Sequence, residues 1–141
     1  MIGKEFQSRL QAPFHPSLVK SRKAFKEGNK VLHYIDARLV MDRLDEVFGP
    51  LGWEASYEFH GERTICNLTV TIKDEAGQLY DVTKSDGAGD TNIEGEKGGI
   101  SDAFKRAAVH LGIGRYLYSG ISPTLAWNQH KGIKSEVIGD I

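Results

Sequence analysis

The sequence predicts a single α+β domain: a curved antiparallel β-meander with a long helix packed across it and a basic β-hairpin beside it, a β-β-β-α core. Three observations carry this. Trp53, Ala55, Tyr57 and Phe59 alternate with polar residues, and so do Cys66, Leu68, Val70 and Ile72, which is the period of strands with one buried face. Ile100, Phe104, Ala107 and Leu111 recur instead at helical spacing. Between Lys20 and Arg38, six basic residues stand against Glu27 and Asp36 alone. At 141 residues one domain suffices, with residues 1–120 forming the domain and 121–141 its extension or the start of a tail.

Taken in order, Ile2, Phe6 and Leu10 suggest a short amphipathic helix ending before Pro13. Leu18 to Phe25 and Lys30 to Tyr34 read as extended segments joined at Glu27-Gly28-Asn29, the basic hairpin. Asp36 is a natural N-cap for a helix with Leu39, Val40, Leu44, Val47 and Phe48 on one side, closed by Gly49 and Pro50. The two alternating runs turn near Gly61. The cluster Asp74-Glu75-Ala76-Gly77 turns the chain again into a third strand over Gln78 to Lys84, with Tyr80 and Val82 on one face. Ser85 to Gly99, rich in glycine and acids, reads as a loop before the helix from Ile100 to Leu111, which Gly112 and Gly114 stop. Beyond Tyr118 the pattern fades.

Composition narrows the function. A hydrophobic fraction of 40% and a charged fraction of 26% are those of a folded globular chain. Apolar runs are too short to cross a bilayer, and the first ten residues lack a signal-peptide core, so no membrane partner and a cytoplasmic address are expected. The single cysteine, Cys66, excludes an internal disulfide and a multi-cysteine zinc site. Net charge is −1, so a polyanion could be held only by local segregation. Such segregation exists in the basic run of the hairpin and in an acidic stretch from Asp74 to Asp102, although charge runs are most often solvated faces.

No catalytic constellation is visible. Gly87-Ala88-Gly89 lacks the third glycine of a dinucleotide loop, and no phosphate-loop lysine motif occurs. Asp86, Asp90, Asn92, Glu94 and Glu96 do not follow the calcium-loop spacing, and the five histidines stand without ligand spacing. Basic residues interleaved with aromatics are present, however. Lys105 and Arg106 project off the apolar face of the predicted helix, and Arg115 lies beside Tyr116 and Tyr118. Cations tracking a backbone while rings stack on bases is how single strands are held without sequence preference. An ordinary wet face with core tyrosines is the plainer alternative.

Two blocks decide between them. Residues 28–53, GNKVLHYIDARLVMDRLDEVFGPLGW, and residues 96–118, EKGGISDAFKRAAVHLGIGRYLY, resemble in order and separation the two signatures of the Rad-type single-strand annealing superfamily. The resemblance covers roughly residues 10–120 and is closest to bacterial and phage members, among them a bacterial group associated with protecting DNA 3′ ends. It implies a homo-oligomeric ring that binds single-stranded DNA in a basic groove, uses no cofactor and metal, and is not an enzyme. It places the family's Lys-Arg pair on Lys105 and Arg106, its hairpin aromatic on Tyr34, and a basic residue on Arg22 or Lys23. Lys26, Lys30, Arg63, Lys97 and Arg115 complete the basic residues considered for DNA contact. One departure is Val109, where annealing proteins often carry a further arginine. The implied function is strand annealing or end protection in DNA repair and recombination, with other repair proteins as further partners. A purely structural oligomer and a metal-dependent nuclease built on Asp86 to Glu96 are the competing readings.

Overall fold

The structure, a computed structural model, describes residues 4–24, 30–89 and 96–132, with backbone alone for Ala24 and residues 96–98. Helix α1 (Lys4–Leu10) leads through a 3₁₀ turn at Pro16–Leu18 into β1 (Lys20–Ala24) and β2 (Lys30–Tyr34). Helix α2 (Ala37–Phe48) precedes β3 (Trp53–His60), β4 (Arg63–Lys73) and β5 (Leu79–Ala88); α3 (Glu96–Val109), a 3₁₀ turn at Arg115–Tyr118 and α4 (Pro123–Lys131) follow. The expected α+β class holds: β1 and β2 form one antiparallel pair, and β3-β4-β5 form an antiparallel sheet in sequence order. The tip of the basic hairpin, with Lys26 and the Glu27-Gly28-Asn29 turn, lies outside the described residues.

Alternation along the meander separates two faces. Cys66, Leu68, Val70 and Ile72 are buried beneath α3, which contributes Ala103, Phe104, Ala107 and Ala108. Phe104 and Ala107 are buried as the predicted Ile100/Phe104/Ala107/Leu111 stripe requires, whereas Ile100 and Leu111 are only half-buried; Ala103 and Ala108 take their place, alanines that let α3 lie close against the strands. Trp53 packs at 5.8 Å from Phe104, and Val40, Leu44 and Val47 of α2 close the end of the core. The opposite sheet face is polar, laced by Thr69 to Thr83 and Thr71 to Asp81 at 2.8 Å and by Ser85 to Asn67 at 2.6 Å.

Three boundaries differ from expectation. The third strand continues through Ser85-Asp86-Gly87-Ala88, where a loop was predicted, because these residues pair with β4 up to Thr64, Gly87 opposite Ile65 at a tight place. A Cβ there would stand 3.3 Å from the Thr64 carbonyl and the Arg63 guanidinium. Helix α3 opens at Glu96, ahead of Ile100, and ends at Val109, short of Leu111. Helix α4, where no pattern was seen, is delimited by its caps: the Ser122 hydroxyl accepts from Leu125 N, Pro123 sits in the first turn, and Gly132 ends it with φ 76°. A positive φ also recurs at Gly114, whose turn redirects the chain after α3 within 3.3 Å of the Ile35 side chain for any added Cβ.

Candidate nucleic-acid interface

The hairpin register sorts its cations onto two faces. Lys20 opposes Tyr34, Arg22 opposes Leu32 and Ala24 opposes Lys30, whereas Ser21/His33 and Lys23/Val31 point the other way. Arg22, Lys30 and Tyr34 therefore share a face with Lys20, and Lys23 does not.

Helix α3 meets that face through Lys105, whose ammonium lies 5.4 Å from the centroid of the Tyr34 ring. At that distance the negative ring face attracts the cation. Loss of water around the half-buried Lys105 pushes its pKa down; the fields of Asp102 and Asp36 oppose this, and those of Arg22 and Lys20 add to it. One neighbourhood thus gathers Lys20, Arg22, Tyr34 and Lys105 with two carboxylates. Asp36 reaches the Lys20 ammonium at 3.0 Å. On the next position of α3, the Arg106 Nε donates to Asp102 Oδ2 at 3.1 Å, and that hydrogen bond holds its guanidinium firmly in the charged form. Arg106 is 52% exposed and also senses Tyr118, a ring left 73% exposed just beyond the helix stop.

Other sequence-predicted residues fall elsewhere. Arg63 lies on the sheet face turned away from α3, since its neighbour Thr64 is the buried one and faces Gly99 of the helix. Arg115 caps α3: its Nε and Nη2 donate to the Val109 carbonyl at 3.0 and 2.7 Å, and Nη2 also to His110 at 3.0 Å. Cations at a helix C-terminus satisfy carbonyls that have no partner within the helix. Tyr116 is structural as well, its hydroxyl accepting from Phe14 N at 3.0 Å. The backbone of Lys97 belongs to the first turn of α3, and its side chain lies outside the described residues, as does Lys26.

Four residues of this neighbourhood were absent from the sequence-derived set. Lys20 could have been found by counting back two from Arg22, and Asp102 by counting back four from Arg106. Asp36 was read as a helix cap and Tyr118 only as a neighbour of Arg115. Of the acidic run, Asp86 accepts from Gly87 N at 2.7 Å and meets His110 Nε2 at 2.9 Å; Asp90, Asn92, Glu94 and the side chain of Glu96 lie outside the described residues.

The chain is 38% identical over 133 residues to a protein of Deinococcus deserti named single-stranded DNA-binding protein DdrA, covering 90% of this chain and 63% of that protein. A protein of the same name from Deinococcus radiodurans is 37% identical over 120 residues, 81% of this chain and 55% of that one. The chain therefore spans less than two thirds of the length of these relatives. Residues 3–131 match the Rad52/22 family double-strand break repair protein, nearly the whole of the described fold, and the chain belongs to that family.

Proposed function

We propose that the face shared by the β1–β2 hairpin and α3 binds single-stranded DNA without regard to sequence, in DNA repair or recombination, acting by strand annealing, by shielding DNA ends, or both. The observation that carries this reading is the Lys105 ammonium 5.4 Å from the Tyr34 ring, with Lys20 and Arg22 around it. A cation and a ring side by side suit the alternation of phosphate and base along a single strand. The relatives' name supports the same ligand. The reading needs no nucleotide, metal or covalent step, and it includes self-assembly into a closed ring and a cytoplasmic place of work beside other repair proteins.

Titration of a fluorescent oligonucleotide at several salt concentrations tests it. Each phosphate neutralised on a single strand contributes about 0.7 to the slope of log K against log salt. Lys105→Ala with Arg106→Ala should bind more weakly, with a slope shallower by up to about 1.4. Its melting temperature should stay within a few degrees of wild type, because the exposed Arg106–Asp102 pair contributes only about 0.5 kcal/mol and the contact of Lys105 with the Tyr34 ring about 0.5–1 kcal/mol. Unchanged affinity and slope in a folded double variant would favour a purely structural oligomer.

A further inference from the structure

The cations of the hairpin–α3 face are not presented bare. Lys20 is held by Asp36 at 3.0 Å and Arg106 by Asp102 at 3.1 Å, and both carboxylates also act on Lys105. Asp36 is the more telling of the two. It occupies the N-cap position of α2 with extended backbone, φ −70° and ψ 151°, yet its side chain makes no capping hydrogen bond. An aspartate there ordinarily accepts from an N–H of the first turn, worth about 1 kcal/mol. Here the carboxylate is turned to the groove instead. A second acceptor role is available beside it at the open start of the helix, where Leu39 N already donates to the Asp36 carbonyl at 3.0 Å but the two N–H groups before it have no intrahelical acceptor.

We infer that Asp36 and Asp102 are built-in counter-charges of the groove, standing where DNA phosphates must stand, so that each phosphate binds by displacing a carboxylate from Lys20 or Arg106. Asp36 then swings to the open end of α2, and Asp102 turns to solvent. This inference rests on the DNA-binding reading above and deepens it. Its consequence is ionic. A phosphate that binds a bare lysine releases a cation from the DNA. One that binds Lys20 also leaves a carboxylate unpaired, which gathers a cation from solution and cancels part of that release. The groove would thus hold a strand loosely and with a muted salt response, a property suited to strands that must be exchanged.

The test uses Asp36→Asn and Asp102→Asn, singly, with the oligonucleotide titration. Asparagine is as well suited to an N-cap position as aspartate, so the first change removes charge without disfavouring the start of the helix. Each variant should bind about two- to fivefold more tightly near 0.1 M salt, the range for release of one exposed ion pair. Its slope should steepen by up to about 0.7. Glu54→Gln, on the sheet face opposite α3, alters net charge equally and should change neither. Adding Lys20→Ala to Asp36→Asn should erase the gain. An affinity no better than that of Glu54→Gln, or a gain that survives Lys20→Ala, overturns the inference. If Asp36→Asn melts early, Asp102→Asn, with Arg106→Ala added in the same way, decides it. The two levels separate cleanly: if Lys105→Ala with Arg106→Ala binds as wild type, the DNA-binding reading of this face falls. If that variant binds weakly while both asparagine variants match wild type, only the counter-charge inference falls.

Discussion

Arg43 is the residue on which the packing of the N-terminal helix turns. It is 8% exposed, and its Nη1 donates to the carbonyls of Arg9, Leu10 and Ala12 at 3.1, 2.9 and 2.8 Å, with the guanidinium 4.1 Å from the Phe14 ring centroid. The first two are carbonyls that the end of α1 leaves without helical partners, and the third belongs to the segment that leaves it. Burial lowers the Arg43 pKa and Glu46 opposes that shift, so the cation is retained for its fork of donors. Arg43→Ala would strand several carbonyls at once and is expected to cost about 3 kcal/mol in urea unfolding, against well under 1 kcal/mol for an exposed change such as Arg38→Ala. Cys66 makes a second point at this scale. Burial pushes its thiol up to about 11 and the facing Tyr57 hydroxyl up to about 12. Both groups favour the protonated form when folded, so the stability they confer is complete below the unfolded thiol's value of about 8.5 and is lost as pH rises through the folded ones. Denaturation midpoints should fall between about pH 9 and 12, and Cys66→Ala should flatten the lower half of that fall. A thiol reagent at neutral pH should label Cys66 only as the protein unfolds.

Elements differed in how much of themselves the sequence displayed. The meander was legible because one face buries Cys66, Leu68 and Val70 while the other carries Asn67, Thr69 and Thr71, a contrast that survives in one dimension. The end of β5 was not, since Ser85, Asp86 and Gly87 have the composition of a loop and are strand only because of what lies across from them. Helix α4 shows no apolar period, yet Ser122-Pro123 and Gly132 were readable as its limits. For the candidate site, Lys105 and Arg106 were visible as cations off the apolar face of a helix and Arg22 in the basic run, and the family resemblance singled them out with Tyr34; Lys20 was within reach by strand alternation, whereas the turn of Asp36 toward Lys20 and the capping role of Arg115 needed the fold. The hairpin is joined to α3 through a ring face rather than through the Tyr34 hydroxyl, which separates two substitutions. Tyr34→Phe keeps the face and should bind oligonucleotide within about twofold of wild type. Tyr34→Leu loses both the cation contact, worth about 0.5–1 kcal/mol, and a base-stacking surface worth about 1–3 kcal/mol, and should bind at least tenfold more weakly.

At the scale of the whole molecule, the sheet ends in two edge strands. With the order β3-β4-β5, β3 and β5 each have one edge that pairs with no further strand among the described residues. Apolar side chains stand exposed nearby: Phe59 at 59% on β3, Leu79 at 65% and Tyr80 at 40% on β5. Unprotected edges of this kind accept another strand, and two different edges on one molecule make a head-to-tail contact, which closes into a ring when the rotation permits. Light scattering at micromolar concentration is therefore expected to give a multiple of the 15.6 kDa chain. Salt distinguishes this contact from the one with DNA. Screening shortens from about 10 Å at 0.1 M to about 3 Å at 1 M, which removes attraction between exposed charges and leaves apolar burial and strand pairing in place. Over that range oligonucleotide affinity should fall while the mass holds. If the mass fell in step with affinity, the assembly would be a joining of the basic hairpin to acidic surfaces, and the edges would be idle. Leu79→Lys, which sets a charge on the β5 edge, should lower the mass without lowering the affinity of each chain for a short oligonucleotide, because Leu79 lies at the far end of the strand from the α3 stop where Arg106 and Tyr118 stand.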